Sequence, residues 1–240
     1  MKSSNIPFAL LALAALPVFA QSSVTVSGRV AGGLEQYRLS GKGSATMVSE
    51  NASRLIFSGT EDLGGGLKAF FQIDSRFRLD DANSSAIGSG NTGVGLQGAF
   101  GKLTLGRWDL HYVEGTSLER QKAVSNQTWS THGLLAQVNG NVIAFASRAN
   151  NVLKYDSPKL NGFNATLVYS SNPAGSDGSV NADADKGGAY QMAARYQNGP
   201  VDAGLSYWQY DIEGVTNAGD QRSTRGWFGY RFAFGLSVGL

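Results

Sequence analysis

From residue 23 onward the chain repeats one pattern: apolar and polar residues alternate with a period of two. In residues 23–35, Val24, Val26, Gly28, Val30, Gly32 and Leu34 share one face, while Thr25, Ser27, Arg29, Ala31, Gly33 and Glu35 share the other. Residues 67–77 do the same, with Leu67, Ala69, Phe71 and Ile73 against Lys68, Gln72, Asp74 and Arg76. Successive side chains of a strand point to opposite faces, so each segment reads as a strand with one apolar and one charged side. Residues 54–59, 92–98, 102–107, 152–156, 163–169, 190–196, 201–208, 226–232 and 236–240 have the same character. No segment sustains a helical period. Composition agrees: 32 glycines with only 16% charged residues make a chain too apolar for disorder and too glycine-rich for a helical domain.

The connections alternate in length. Residues 61–66, 99–101, 157–162, 198–200 and 233–235 are short and rich in Gly, Pro, Asn and Asp. Residues 36–53, 78–91, 108–151, 170–188 and 211–225 are long and polar. A soluble β-sandwich explains the alternation but has no reason to gather its long loops at one end. An outer-membrane barrel does, with short periplasmic turns and long extracellular loops. In lipid every backbone polar group must be paired within the protein, which leaves helices or closed barrels. Tyr155, Phe163, Tyr169, Tyr190, Tyr196, Tyr207, Phe228, Tyr230 and Phe232 fall mostly near strand ends on the outward parity, as interfacial girdles do. The expected fold is all-β, an antiparallel transmembrane β-barrel.

The first twenty residues read as an address. Lys2 supplies a positive start, residues 8–18 an apolar stretch, and Val18-Phe19-Ala20 a cleavage site before Gln21. So short a stretch cannot cross a hydrocarbon layer of about 30 Å, which needs about 20 apolar residues. The expected organisation is a signal peptide, 1–20, followed by one barrel domain, 21–240, in an exported chain. A net charge of +2 gives no basic surplus for nucleic acid. Without cysteine there is no disulfide framework, thiolate zinc site or cysteine nucleophile.

Residues 53–69, SRLIFSGTEDLGGGLKA, resemble the SRLGFKGTEDLGGGLKA hairpin of the Gram-negative general porins of beta-proteobacterial type. Val94-Gly95-Leu96, and then residues 100–107, are similar to that family's next hairpin. Residues 150–158 resemble its NNSVKYTSP, and Tyr196-Gln197-Asn198-Gly199-Pro200 its YANGP. The first of these is specific and the others are modest, but they occur in order from Gln21 to Leu240. The resemblance implies trimers of 16-stranded barrels in the outer membrane that pass small hydrophilic solutes and ions without enzyme activity or cofactor. It also implies a third long loop folded into the pore. An exported β-rich binding or adhesin-like surface protein is the alternative. Two departures stand out: Gly90 occupies a position where the family usually has Arg, and the chain reaches Leu240 rather than a closing strand with terminal Phe. The resemblance covers about two-thirds of a member.

The residues expected to carry function are charges facing the lumen. By alternation Arg29, Arg54, Lys68, Arg76, Lys154, Arg195 and Arg231 point inward, with Glu35, Asp74 and Asp202 the inward acids. A cation facing lipid at the midplane costs about 2–4 kcal/mol, so parity and energetics agree. The resemblance places Arg54 in the constriction. Arg107 follows the parity of Leu103 and Leu105, which is outward unless Gly106 permits a bulge. The resemblance also brings Asp109, Glu114 and Glu119 of the third loop opposite the strand arginines, where bases facing acids make a transverse field.

Other motifs carry little. Residues 88–93 fit G-x-G-x-x-G, but a polar loop precedes them and a strand follows, the wrong context for a dinucleotide site. His111 and His132 share one long loop without a third ligand, and read as solvated loop residues. Asn51, Asn83, Asn126 and Asn164 begin chance matches to N-glycosylation acceptors. No nucleophile elbow accompanies either histidine.

Some 220 residues after Ala20, at roughly 20–22 residues per strand and connection, make ten to eleven strands. The expectation is an open, curved, incomplete sheet. Closure at ten strands through pairing of residues 23–35 with 226–232 is the alternative.

Overall fold

The computed structural model describes residues 23–39, 41, 43–50, 53–79, 86–111, 137–138, 141–142, 148–173, 188–211 and 220–239. The signal peptide expected at 1–20 lies outside the described residues. The strands are β1 (Ser23–Arg29), β2 (Gly32–Leu39), β3 (Gly43–Glu50), β4 (Arg54–Gly64), β5 (Leu67–Arg76), β6 (Thr92–Gly98), β7 (Gly101–Asp109), β8 (Gln137–Val138), β9 (Asn141–Val142), β10 (Arg148–Asp156), β11 (Phe163–Ser170), β12 (Ala189–Asn198), β13 (Val201–Tyr210), β14 (Gln221–Arg231) and β15 (Ser237–Gly239). Eleven of them form one antiparallel sheet in the order β1-β4-β5-β6-β7-β10-β11-β12-β13-β14-β15. Every segment read from the period of two contributes a strand to it, although residues 32–35 of the first one lie in β2, outside this sheet.

The sheet is open. β1 pairs with β4, and β14 pairs with β13 and β15, so no ladder joins β1 to β14 among the described residues. Two stretches differ from the sequence reading. Residues 23–35 are two strands, broken at Val30-Ala31, and the stretch 36–53 holds much of a second hairpin, β2–β3. Gly28, Gly32 and Gly33 around the break offer no side chains to hold a straight strand. Ser53 takes over there: its Oγ accepts from Ala31 N at 3.0 Å and donates to Ala31 O at 3.2 Å. The turn after β4 is also tighter than expected. Gly64, Gly65 and Gly66 have φ of 88°, 61° and 81°, a run that only glycine holds without strain.

The two faces invert the order of a soluble protein. Thr104, Lys154, Thr166, Gln191, Asp202, Ser206 and Arg225 are buried, while Val26, Val94, Leu105, Leu167, Met192, Leu205 and Phe228 are exposed. An apolar outer wall and a polar inner wall are what a lipid-embedded barrel requires. His111 shows which way the sheet curves. It stands two residues after the end of β7, a reach of about 7 Å, yet its ring touches β13 and β14. Along a flat sheet those strands stand about 19–24 Å away. The polar face is therefore concave. Aromatic pairs gather beside the short turns: the Phe163 and Tyr196 rings lie 4.6 Å apart, and Phe232 contacts both Tyr230 and Phe234.

β5, β6 and β7 approach closely because Gly95 has no side chain. A Cβ there would overlap the Leu103 carbonyl oxygen and lie 2.6 Å from Phe70 Cε1. Gly95→Ala should destabilise the sheet by about 1–3 kcal/mol, the cost of overpacking. The check is a lower urea midpoint in detergent; an unchanged midpoint would contradict the packing.

Candidate functional site

Three arginines stand side by side across the first strands of the sheet. In the register Arg29 opposes Arg54, and Arg54 opposes Arg76. Like charges directly opposite repel, so such a row needs acids beside it. Asp74 supplies one: its Oδ2 lies 3.6 Å from Arg54 Nη1 and 3.4 Å from Arg76 Nη2. Asp109, the last residue of β7, supplies the other. It pairs with Arg148 and lies 4.0 Å from Arg76. Asn91 locks this corner. Its Nδ2 donates to Asp109 Oδ2, and its Oδ1 accepts from Asp109 N and Arg148 Nε.

Arg107 joins the same network. Gly106 has a φ of 142°, and the pairing of β7 with β10 shifts register between Ala149 and Val152. The Arg107 guanidinium donates to Asn150 Oδ1, and its charged neighbours are Arg148, Asp109 and Arg76. The site thus gathers Arg29, Arg54, Arg76, Arg107 and Arg148 around Asp74 and Asp109.

The remaining inward cations fare differently. Lys68 lies near the short-turn end of β5, opposite Gln97, away from the arginines. Lys154 pairs with Asp156 at 3.1 Å. Arg195 grips Asp202 with two hydrogen bonds, and Trp227 Nε1 donates to the same carboxylate at 3.3 Å. Arg231 is exposed at the end of β14. Glu114, Glu119, His132, Asn51, Asn83 and Asn126 lie outside the described residues, as does the side chain of Glu35. Sequence reasoning missed Arg148 and Asn91 because both fall in stretches read as loop. It also missed Lys102, whose Nζ lies 4.1 Å from the Phe70 ring centre and 5.3 Å from that of Trp108. There the signal was available: Lys102 shares the inward parity of Thr104.

His111 corrects an expectation. It is not a solvated loop residue but is 0% exposed. Nδ1 lies 2.8 Å from Ser206 Oγ, Nε2 lies 3.1 Å from Ser223 Oγ, and Arg225 Nη1 donates to its carbonyl. Leu110 beside it joins a buried cluster with Val152, Val168, Ala189, Trp208 and Tyr210. The physical reason lies in the wall: polar hydroxyls and an apolar patch on the concave face give this stretch somewhere to dock.

Burial, and then the Arg225 charge, lower the His111 pKa from 6.5 to about 4. The docked form therefore prefers the neutral ring. Docking has its full strength above pH 6.5 and weakens as pH falls from 6.5 towards 4. Imidazole NMR should place the His111 midpoint near 4, with exchange protection of the Leu110 and His111 amides declining over that window. In His111→Gln the acid-dependent decline should vanish.

A sequence profile described as "Gram-negative porin" matches residues 8–239. "Outer membrane porin protein 32" of Delftia acidovorans is 35% identical over 232 residues, covering 87% of this chain and 60% of the relative. "Major outer membrane protein P.IB" of Neisseria gonorrhoeae is 29% identical over 201 residues, covering 78% of this chain and 52% of the relative. The chain thus spans between half and two-thirds of the length of these relatives. Among solved structures, the "anion-selective porin from Comamonas acidovorans" superposes with a TM-score of 0.66 at 26% identity, covering 91% of this chain and 71% of that one. A mutant porin of Rh. blastica has the same fold, with a TM-score of 0.59 at 17% identity. A profile match over nearly the whole chain, an inverted antiparallel sheet and outer-membrane relatives converge: this chain belongs to the Gram-negative porin family of outer-membrane β-barrel proteins.

Proposed function

We propose that this protein forms a water-filled pore for passive diffusion of small hydrophilic solutes and ions, without enzyme activity, and with a mild preference for anions. One observation carries the reading: five arginines surround two aspartates on the concave face of the sheet. An excess of fixed positive charge in a narrow, low-dielectric passage concentrates anions and repels cations. The Comamonas acidovorans relative is an anion-selective porin, which supports the same sign.

The docking of Leu110 and His111 on the inner wall supports a third loop that enters the lumen and narrows it. On this reading Asp109 faces the arginines from the strand end, and Glu114 and Glu119 add acids from the loop. Arg29, Arg54, Arg76 and Arg107 line the constriction, and Lys68 lies nearer the periplasmic mouth. The working unit is a homotrimer in outer-membrane lipid, exported by a signal peptide of residues 1–20.

Protein extracted from outer membranes should give stepwise conductance in planar bilayers. A salt gradient should set a reversal potential of anionic sign, and Arg54→Ala should reduce it. Cation preference would overturn the selectivity. An absence of conductance together with tight ligand binding would favour an exported binding protein instead. Mass spectrometry of the purified protein should find Gln21 at its amino terminus.

A further inference from the structure

The acid at the centre of the arginine row is held in an unusual way. Asp74 is 1% exposed, and its Oδ1 has no hydrogen-bond partner among the described residues. Among the described residues the polar contacts of its carboxylate fall on Oδ2: Arg54, Arg76 and the Asn91 N–H at 3.4 Å. Residues 86–91 lie along the end of β5 to make this possible. Gly88 N donates to Ser75 Oγ, Arg76 N donates to Ser89 Oγ, and Gly90 N donates to Asp74 O at 2.7 Å.

Gly90 is the decisive contact. It is buried against the acid, and a Cβ there would overlap Cγ and Oδ2 of Asp74 and lie 2.7 Å from its Cβ. Those atoms belong to a short side chain with little freedom to move aside. Gly90 is therefore a slot for the Asp74 carboxyl group. This is the position at which the family resemblance led to an expected arginine, and any side chain there would evict the acid.

We infer that Asp74, seated in the slot made by Gly90, is a specificity-determining residue: a built-in counter-anion that holds down the anion preference of the pore by offsetting one of the two charges of the Arg54–Arg76 pair. The inference rests on the pore reading. A solute carboxylate or phosphate meeting Arg54 and Arg76 must compete with a carboxylate already fixed there. A free acid at the surface would be screened and averaged by water; this one is buried and cannot swing away. Its charge acts on every anion that passes.

The test is a double-mutant cycle read as the anion-over-cation permeability ratio in planar bilayers, using the whole protein from outer membranes. Asp74→Asn keeps the shape and removes the charge, and should raise the ratio roughly twofold. Gly90→Ala should move the ratio in the same direction by displacing the carboxylate. In the Asp74→Asn background Gly90→Ala should add nothing, because the charge it displaces is gone. Asp74→Ser removes the same charge with less volume and should match Asp74→Asn. An unchanged or lower ratio in open Asp74→Asn channels overturns the inference, as do additive effects. So does loss of channels in both Asp74 variants while the wild type conducts, for Asp74 is then a folding residue. If the wild type prefers cations but Asp74→Asn still raises the ratio, the anionic reading fails and this inference stands.

Discussion

A wall one sheet thick must satisfy its backbone within the sheet and divide its side chains between lipid and water. Lipid offers no hydrogen bonds, so the ladders from β1 to β15 must carry the pairing. Once they do, the period of two decides the rest. Leu167 and Phe228 go outward, Thr166 and Trp227 inward, and no residue has a third choice. Glycine then sets how closely the strands and their inner side chains can meet. Gly95 admits the Phe70 ring, and Gly204 admits the Trp227 indole.

The same sorting concentrates charge. Cations excluded from lipid collect on the concave face, and the register brings Arg29, Arg54 and Arg76 into one row. Two solutions to that crowding coexist in this wall. Arg195 and Asp202 neutralise each other almost completely, as do Lys154 and Asp156. The arginine row is left with fewer acids than bases. The first arrangement seals the wall, and the second leaves a field.

Much of the fold is legible in the sequence because alternation is a local signal. All eleven strands of the large sheet can be read from it, and Arg54, Arg76 and Asp74 fall on the inner face as their parity requires. What stays hidden depends on partners distant in the chain. Arg148 and Asn91 are 57 residues apart, and nothing local says that a loop asparagine will align an aspartate with an arginine. Arg107 is an intermediate case: Gly106 makes a break in parity possible, but only the network of Asp109 and Arg148 gives the guanidinium a place to go. His111 was misread because its hydroxyl partners lie 95 and 112 residues further on.

Those separations have a consequence for how the molecule is assembled. The stretch Leu110–His111 needs Ser206 on β13 and Ser223 on β14, and neither exists as a surface until those strands have paired. Contacts between such distant residues form late, because the closure of long loops must be completed first. The wall precedes the docking of Leu110 and His111. A chain caught midway through folding would thus have paired strands before this stretch is seated on them, and its docking would be among the last features to mature.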